Sequence, residues 1–202
     1  MAIVGERWGL FPKLKDWVAE KKPIWGTCAG MILLSDHAIK QARGGQSLVG
    51  GLDVHVCRNF FGSQVYSCSV DINLEPSTTA AMASIATSPD HSASQCPAIF
   101  IRAPAILSVG PDVNVLASMV AKPHMSARAD VLKLIEGAKT GDSQCSATDQ
   151  QPTTNVNRVS TIIESSTEKG DSSFEVFVAV RQGNILATAF HPELTDDTRW
   201  HQ

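Results

Sequence analysis

The sequence is poor in aromatic residues and has no strong excess of charge of either sign. Aromatic side chains make up 6% of its 202 residues, with a single tyrosine, and the formal net charge at pH 7 is -3. An apolar run of the roughly 20 residues that a membrane-spanning helix requires is also absent from the sequence. A weakly negative chain offers no general electrostatic attraction to nucleic acid or to an anionic membrane. We therefore expect neither as a partner.

Targeting signals and paired cysteines are missing as well. The opening MAIVGER lacks the basic and then apolar layout of a secretory signal, so we expect a cytosolic protein. The five cysteines are widely spread, and the absence of Cys-x-x-Cys spacing argues against a zinc site or a redox pair. A disulfide framework is not expected without a secretion signal. We interpret Cys57 and Cys68 as small buried apolar side chains.

The sequence does contain the mixture of helical and strand patterns that is typical of an α/β domain. We predict a single domain over residues 1–202, built around one sheet. Residues 182–184 between two apolar stretches predict a tight hairpin. The predicted elements are helices over 8–20 and from 31, and strands over 24–27, 65–72, 98–102, 113–116, 175–181 and 185–190.

Two polar stretches, at about 76–97 and 122–173, do not follow these patterns. Ser, Thr and Ala dominate the first, and Ser, Thr, Asp, Gln and Gly are scattered through the second without strong periodicity. Segments of this composition have too little apolar surface to offset the entropy of ordering them. We expect surface insertions of low order, with a short helix at Ala129–Ala138 in the second.

The sequence Gly26-Thr27-Cys28-Ala29-Gly30 has the form Gly-x-nucleophile-x-Gly between a predicted strand and a predicted helix. This pattern is typical of a nucleophile elbow, a sharp turn that lifts the side chain above the sheet edge. Glycines flank the turn because neighbouring backbone comes too close for side chains. The following helix would favour a thiolate, and the Ala29 amide could donate to an oxyanion. The alternative is a buried structural cysteine in a glycine-rich turn.

A thiolate nucleophile needs a base, and the base needs an orienting group. His191-Pro192-Glu193 directly follows a predicted apolar strand. If the backbone stays extended through the proline, His191 and Glu193 project to the same side. The carboxylate would then fix the tautomer of the imidazole and stabilise the imidazolium. Alone this tripeptide indicates a surface turn, but with an elbow cysteine it predicts a Cys28, His191, Glu193 triad.

Longer motifs make the sequence resemble the class I glutamine amidotransferases, and within them the glutaminase subunit of two-component pyridoxal 5'-phosphate synthase. The resemblance covers residues 1 to about 120 and 174–202 but neither polar stretch. It rests on the motifs GTCAG (26–30), GGLD (50–53), RNFFGSQ (58–64), FIRAP (100–104), FHPEL (190–194) and TDDTRWH (195–201).

The resemblance implies an α/β, flavodoxin-like three-layer sandwich with a mixed central sheet. It also implies hydrolysis of L-glutamine to glutamate and ammonia, with the ammonia passing to a synthase subunit that is a (β/α) barrel. No metal and no bound cofactor are expected in the glutaminase subunit. Arg58, Ile101 and Arg102 match glutamine-contacting positions of the family, and a guanidinium such as that of Arg58 can hold an α-carboxylate bidentately.

Two further expectations come from the same resemblance. Compared with the family, the chain is expected to be shortened at both ends, without the N-terminal strands and a Gly-Gly-Glu-Ser-Thr loop that supplies a second oxyanion donor. Two alternatives to the glutaminase of vitamin B6 synthesis stay open: a non-catalytic fragment that only docks on or regulates the synthase, and a class I amidotransferase that serves another synthase.

Overall fold

A computed structural model of the chain describes residues 2–39, 47–62, 68–83, 94–140, 158–163 and 172–202. The helices are α1 (Ala2–Arg7), α2 (Leu10–Ala19), α3 (Ala29–Leu34), α4 (Pro76–Ala83) and α5 (Met125–Thr140). The strands are β1 (Ile24–Thr27), β2 (Ser35–Ile39), β3 (Leu52–Cys57), β4 (Cys68–Leu74), β5 (Gln95–Phe100), β6 (Ala105–Val109), β7 (Asn114–Ala121), β8 (Arg158–Val159), β9 (Thr161–Ile163), β10 (Ser173–Gln182) and β11 (Ile185–Thr188). Two 3₁₀ turns, Pro192–Leu194 and Arg199–His201, follow β11.

These strands form one mixed sheet around the long strand β10. The main path runs β2-β3-β6-β10-β7-β4-β5, and β11 joins β10 to β1. The pairs β1/β11 and β2/β3 are parallel, whereas the other pairs are antiparallel. The expected α/β fold with a mixed central sheet is therefore confirmed.

The core lies on both sides of β10. Successive residues from Val176 to Val180 are buried, and this matches a strand with both of its faces covered. Its neighbour β11 follows after Gly183, which has φ 55 in the connecting turn. Glycine adopts that conformation without a steric penalty. The predicted hairpin is thus confirmed, with β10 and β11 paired antiparallel from Gln182↔Ile185 to Ala179↔Thr188.

Most of the other sequence predictions correspond to observed elements. The amphipathic pattern over 8–20 becomes α2, and the short strand before Cys28 is β1. The predicted strand over 65–72 has its first three residues outside the described part of the chain and continues as β4. The sequence did not predict β2, β3 or β6. The first of these is an end strand of polar composition, SDHAI, and has no periodicity by which to recognise it.

The second polar stretch was expected to be a surface insertion of low order, and the structure corrects this expectation for part of it. Residues 125–140 form α5, and its Ala127, Val131 and Ile135 are fully buried at i, i+4 and i+8. Residues 158–163 add β8 and β9 to the sheet. The expected short helix is present, but its three buried side chains pack in the core. The remaining parts, 141–157 and 164–171, and residues 84–93 of the first stretch, lie outside the described residues.

Candidate active site

The parallel pairing of β1 with β11 brings two distant parts of the chain to one end of the sheet. Thr27 and Thr188 are the last paired residues of the two strands. Beyond them, the Cys28 N–H donates to the Thr188 carbonyl at 2.7 Å. Because parallel strands end on the same side, the residues after each strand leave the sheet next to each other. Cys28 follows β1, and His191 comes three residues after the end of β11.

Cys28 occupies a strained turn between a strand and a helix. Its φ is 48° and its ψ is -101°, a conformation that a residue with a side chain rarely adopts. A Cβ at Gly26 would lie 2.6 Å from the carbonyl carbon of Gly30, so only glycine fits there. Gly30 itself faces open space, which corrects the expectation that both glycines are required by crowding. The strand, sharp turn and helix have the geometry of a nucleophile elbow.

His191 and Glu193 form a directly hydrogen-bonded pair, with His191 Nδ1 2.7 Å from Glu193 Oε1. The expected extended path through the proline is wrong, since residues 192–194 make a 3₁₀ turn. The turn nevertheless brings the two side chains together. Burial alone would raise the pKa of Glu193, but the hydrogen bond with His191 and the charges of His191 and His201 lower it below its usual value. The carboxylate is therefore ionised at neutral pH and can orient the imidazole.

The sulfur of Cys28 is in an environment that favours the neutral thiol. Burial raises the pKa of the thiol above its ordinary value, the Ala29 amide lowers it, and the Glu193 carboxylate raises it again. The expected effect of the helix start therefore has the right sign, but desolvation outweighs it. Cys28 Sγ also lies 3.9 Å from the Ile101 carbonyl oxygen. A base must take the proton if this sulfur is to act as a nucleophile at neutral pH.

One of the three predicted substrate-contacting residues, Ile101, lies near the cysteine. Ile101 follows β5 and contacts Cys28 through its carbonyl, while Arg102 comes next with φ 50 and an exposed side chain. The His191 N–H donates to Ile99 of the same strand at 2.9 Å. Arg58 follows β3, half-buried, and no hydrogen bond or ion pair in the described part of the chain connects its side chain to Cys28.

Sequence reasoning missed a buried polar network beside this site. Asp197 and Arg199 are both buried and bonded to each other just after the His191–Glu193 pair. The signal available in the sequence was two opposite charges two residues apart, which is common on protein surfaces. Within the described ranges, no group of three or more His, Cys, Asp or Glu side chains could hold a metal ion. None of the described helices is long and apolar enough to cross a bilayer.

The comparisons with known proteins place the chain among the glutamine amidotransferases. The profile of the SNO glutamine amidotransferase family matches residues 1–130, and the chain belongs to that family. Among solved structures, one titled "Crystal structure of glutamine amidotransferase" is similar with a TM-score of 0.57 and 25% sequence identity. That match covers 99% of this chain and 68% of the other.

Within the family, the chain is similar to two curated proteins that are named as probable subunits of pyridoxal 5'-phosphate synthase. The probable pyridoxal 5'-phosphate synthase subunit PDX2 of Arabidopsis thaliana is 44% identical over 201 residues, which are 100% of this chain and 64% of the relative. The probable subunit pdx2 of Dictyostelium discoideum is 35% identical over 197 residues, or 96% of this chain and 58% of the relative. The chain thus spans about three fifths of the length of these relatives.

Proposed function

We propose that the protein is the glutaminase subunit of a pyridoxal 5'-phosphate synthase, with Cys28, His191 and Glu193 as its catalytic triad. It hydrolyses L-glutamine to glutamate and ammonia. The observation that supports the proposal is the parallel pairing of β1 with β11, because Cys28 follows the first of these strands and the hydrogen-bonded pair of His191 and Glu193 follows the second. Family membership and the names of the two relatives support the choice of reaction.

The first half of the reaction forms a thioester. Because Nδ1 of His191 is bonded to Glu193, its Nε2 is the nitrogen available to take the Cys28 proton. The sulfur attacks the carboxamide carbon of glutamine, and the resulting oxyanion accepts a hydrogen bond from the Ala29 amide. The C–N bond then breaks as the imidazolium returns its proton to the leaving nitrogen, and ammonia departs.

The second half consumes the thioester. His191 takes a proton from a water molecule, the hydroxide attacks the thioester carbon, and the same amide receives the new oxyanion. Collapse of this intermediate breaks the C–S bond, returns the proton to the sulfur and releases glutamate. Glu193 keeps its negative charge throughout and stabilises the imidazolium in both halves.

Three residues are proposed to hold the substrate. Ile101, whose carbonyl lies near Cys28, and the next residue, Arg102, follow β5. Arg58 is assigned to the α-carboxylate because a guanidinium can bind a carboxylate with two parallel hydrogen bonds. The ammonia passes to the synthase subunit, a (β/α) barrel, in the cytosol. The scheme uses no metal and no bound cofactor in the glutaminase subunit.

The test is release of glutamate from L-glutamine by the purified chain, with and without the synthase subunit. We expect turnover in the complex, and Cys28→Ala should abolish it because no thioester can form. Cys57→Ala is the matched control, since this buried cysteine lies in β3 and has no part in the scheme. Binding to the synthase without glutamate release would favour the non-catalytic docking alternative. Retained turnover in Cys28→Ala would refute the triad.

A further inference from the structure

A buried polar network anchors the segment from His191 to Gln202, which carries Glu193, to the edge of the sheet. At its centre, the guanidinium of Arg199 bonds the carboxylate of Asp197 through Nε at 3.0 and 2.9 Å and through Nη2 at 2.6 Å. The backbone N–H of Arg199 donates to the same carboxylate at 3.0 Å. The side chains are only 6% and 2% exposed, so both charges are almost completely removed from water.

The network ties this segment to β5 at two points. Arg199 Nη2 donates to the Gln95 carbonyl at 2.9 Å, and the His191 N–H donates to the Ile99 carbonyl at 2.9 Å. Strand β5 ends the main path of the sheet and pairs with β4 alone among the described strands, so its outer carbonyls are available. Glu193 lies between the two attachment points.

A cysteine and a tryptophan extend the network towards the start of the segment. Cys96 donates its S–H to Asp197 Oδ2 at 3.3 Å, and Trp200 Nε1 donates to the same sulfur at 3.0 Å. Burial raises the pKa of Cys96 to about 12, so the thiol remains a neutral donor. The Trp200 ring packs edge-on against Phe190, with centroids 5.3 Å apart, and Phe190 immediately precedes His191.

A buried ion pair of this kind is a poor source of stability. Removing two charges from water costs about as much as their attraction returns, and apolar replacements of similar volume are often neutral or stabilising. What a bidentate Arg–carboxylate pair adds is fixed geometry. We infer that Asp197 and Arg199 are positioning residues, which hold the segment on β5 so that Glu193 bonds His191. This inference rests on the proposed glutaminase function.

The main test compares Arg199→Lys and Arg199→Gln in the full chain, assembled with the synthase subunit. Lysine keeps the charge but has one nitrogen where the guanidinium has two that bond the carboxylate, and glutamine loses the charge as well. Since a misplacement of about 1 Å can cost roughly 10²-fold in rate, we expect kcat to fall about 10- to 100-fold for Gln and less for Lys. The KM for glutamine should change less than about twofold.

Arg158→Lys is the matched control and should leave kcat unchanged. This arginine forms an ion pair with Glu75, with an N···O distance of 2.9 Å, and neither residue belongs to the segment.

A second measurement does not depend on activity. The hydrogen bond with His191 lowers the pKa of Glu193, so carbon-13 NMR titration of the Glu193 carboxyl should show its pKa rising towards the ordinary value in Arg199→Gln. If Arg199→Gln does not fold, Trp200→Phe replaces it, because phenylalanine removes the N–H donor to Cys96 and keeps an aromatic ring. Trp200→Phe should lower kcat and raise the pKa of Glu193, as expected for Arg199→Gln, but both changes should be smaller.

Three outcomes would overturn the inference. One is wild-type kcat with an unchanged Glu193 titration in the Arg199 variants. Another is an equal fall of kcat in Ile135→Val, a buried helix variant that lowers the melting temperature without touching the segment. The third is a rise in KM with kcat unchanged. By contrast, absence of glutamate release in the unaltered complex would refute the proposed function, and the Glu193 titration would still test the positioning role.

Discussion

At the scale of single residues, the environment of Cys28 sets a testable limit on its reactivity. Burial and the Glu193 carboxylate raise the pKa of its thiol, so little thiolate exists at neutral pH without a base. We expect the rate of alkylation by iodoacetamide to reach half of its maximum at a higher pH in the folded chain than in the urea-unfolded chain. Subtracting the rate for Cys28→Ala isolates this site from the other cysteines. A midpoint below that of the unfolded chain would mean a stabilised thiolate and would contradict this description.

The two partners of the cysteine should contribute unequally to the reaction. Glu193→Gln keeps the shape of the side chain but removes the charge that stabilises the imidazolium, whereas His191→Ala removes the base itself. We expect kcat to fall in both variants. The kcat of Glu193→Gln should remain roughly 10- to 100-fold higher than that of His191→Ala. Glutamate release in the presence of the synthase measures both. If Glu193→Gln were the slower enzyme, the orienting role of this residue would be wrong.

The residues of this site differ in how far the sequence could predict them. Cys28 belongs to a local pattern, and so does the His191–Glu193 pair, because the chemistry needs these residue types within a few positions of each other. The contact between Arg199 and Gln95 spans 104 positions, and no local pattern encodes it. The direction in which the pKa of Cys28 shifts depends on burial, which is a property of the folded chain. The sequence therefore supported the candidate triad but not the network that surrounds it.

At the scale of elements, the turn between β1 and α3 requires glycine at only one of its two flanks. A Cβ at Gly26 would come within 2.7 Å of the Gly30 carbonyl oxygen and of the Leu34 side chain, while a Cβ at Gly30 would meet nothing within 4 Å. We expect Gly26→Ala to lower the free energy of unfolding by about 1–3 kcal/mol because backbone must shift. Gly30→Ala, within a helix, should be neutral or gain up to about 1 kcal/mol.

Urea denaturation of the two glycine variants, followed by tryptophan fluorescence, checks this expectation. The pair is closely matched, since both substitutions add one methyl group within the same five-residue turn. Equal losses in both variants would show that the whole turn is crowded, as the sequence pattern alone suggested.

Elements with strong local patterns, such as α2 and the β10/β11 hairpin, were predictable from the sequence. The polar end strand β2 was not, because neighbouring strands and not its own composition define it.

At the scale of the whole molecule, α5 tests whether the chain unfolds as one unit. We propose a single domain in which this helix, from a polar stretch of the sequence, is part of the common core. Its Ile135 is fully buried, whereas Lys133 on the same helix is exposed. Ile135→Ala should cost about 2–5 kcal/mol through lost burial and the cavity left behind. Lys133→Ala should change the free energy of unfolding by no more than about 0.5 kcal/mol.

The readout must lie outside α5 for this test to concern the whole molecule. Trp200 serves, since it is buried beside Cys96 and Phe190 next to the candidate active site, and the three other tryptophans, Trp8, Trp17 and Trp25, lie in the first 25 residues. In a single cooperative unit, Ile135→Ala shifts the fluorescence transition and the loss of helical circular dichroism by the same amount. A circular dichroism transition that moves to lower urea while the fluorescence transition stays in place would show α5 unfolding separately. The polar stretch would then be an appendage to the domain, as its composition first indicated.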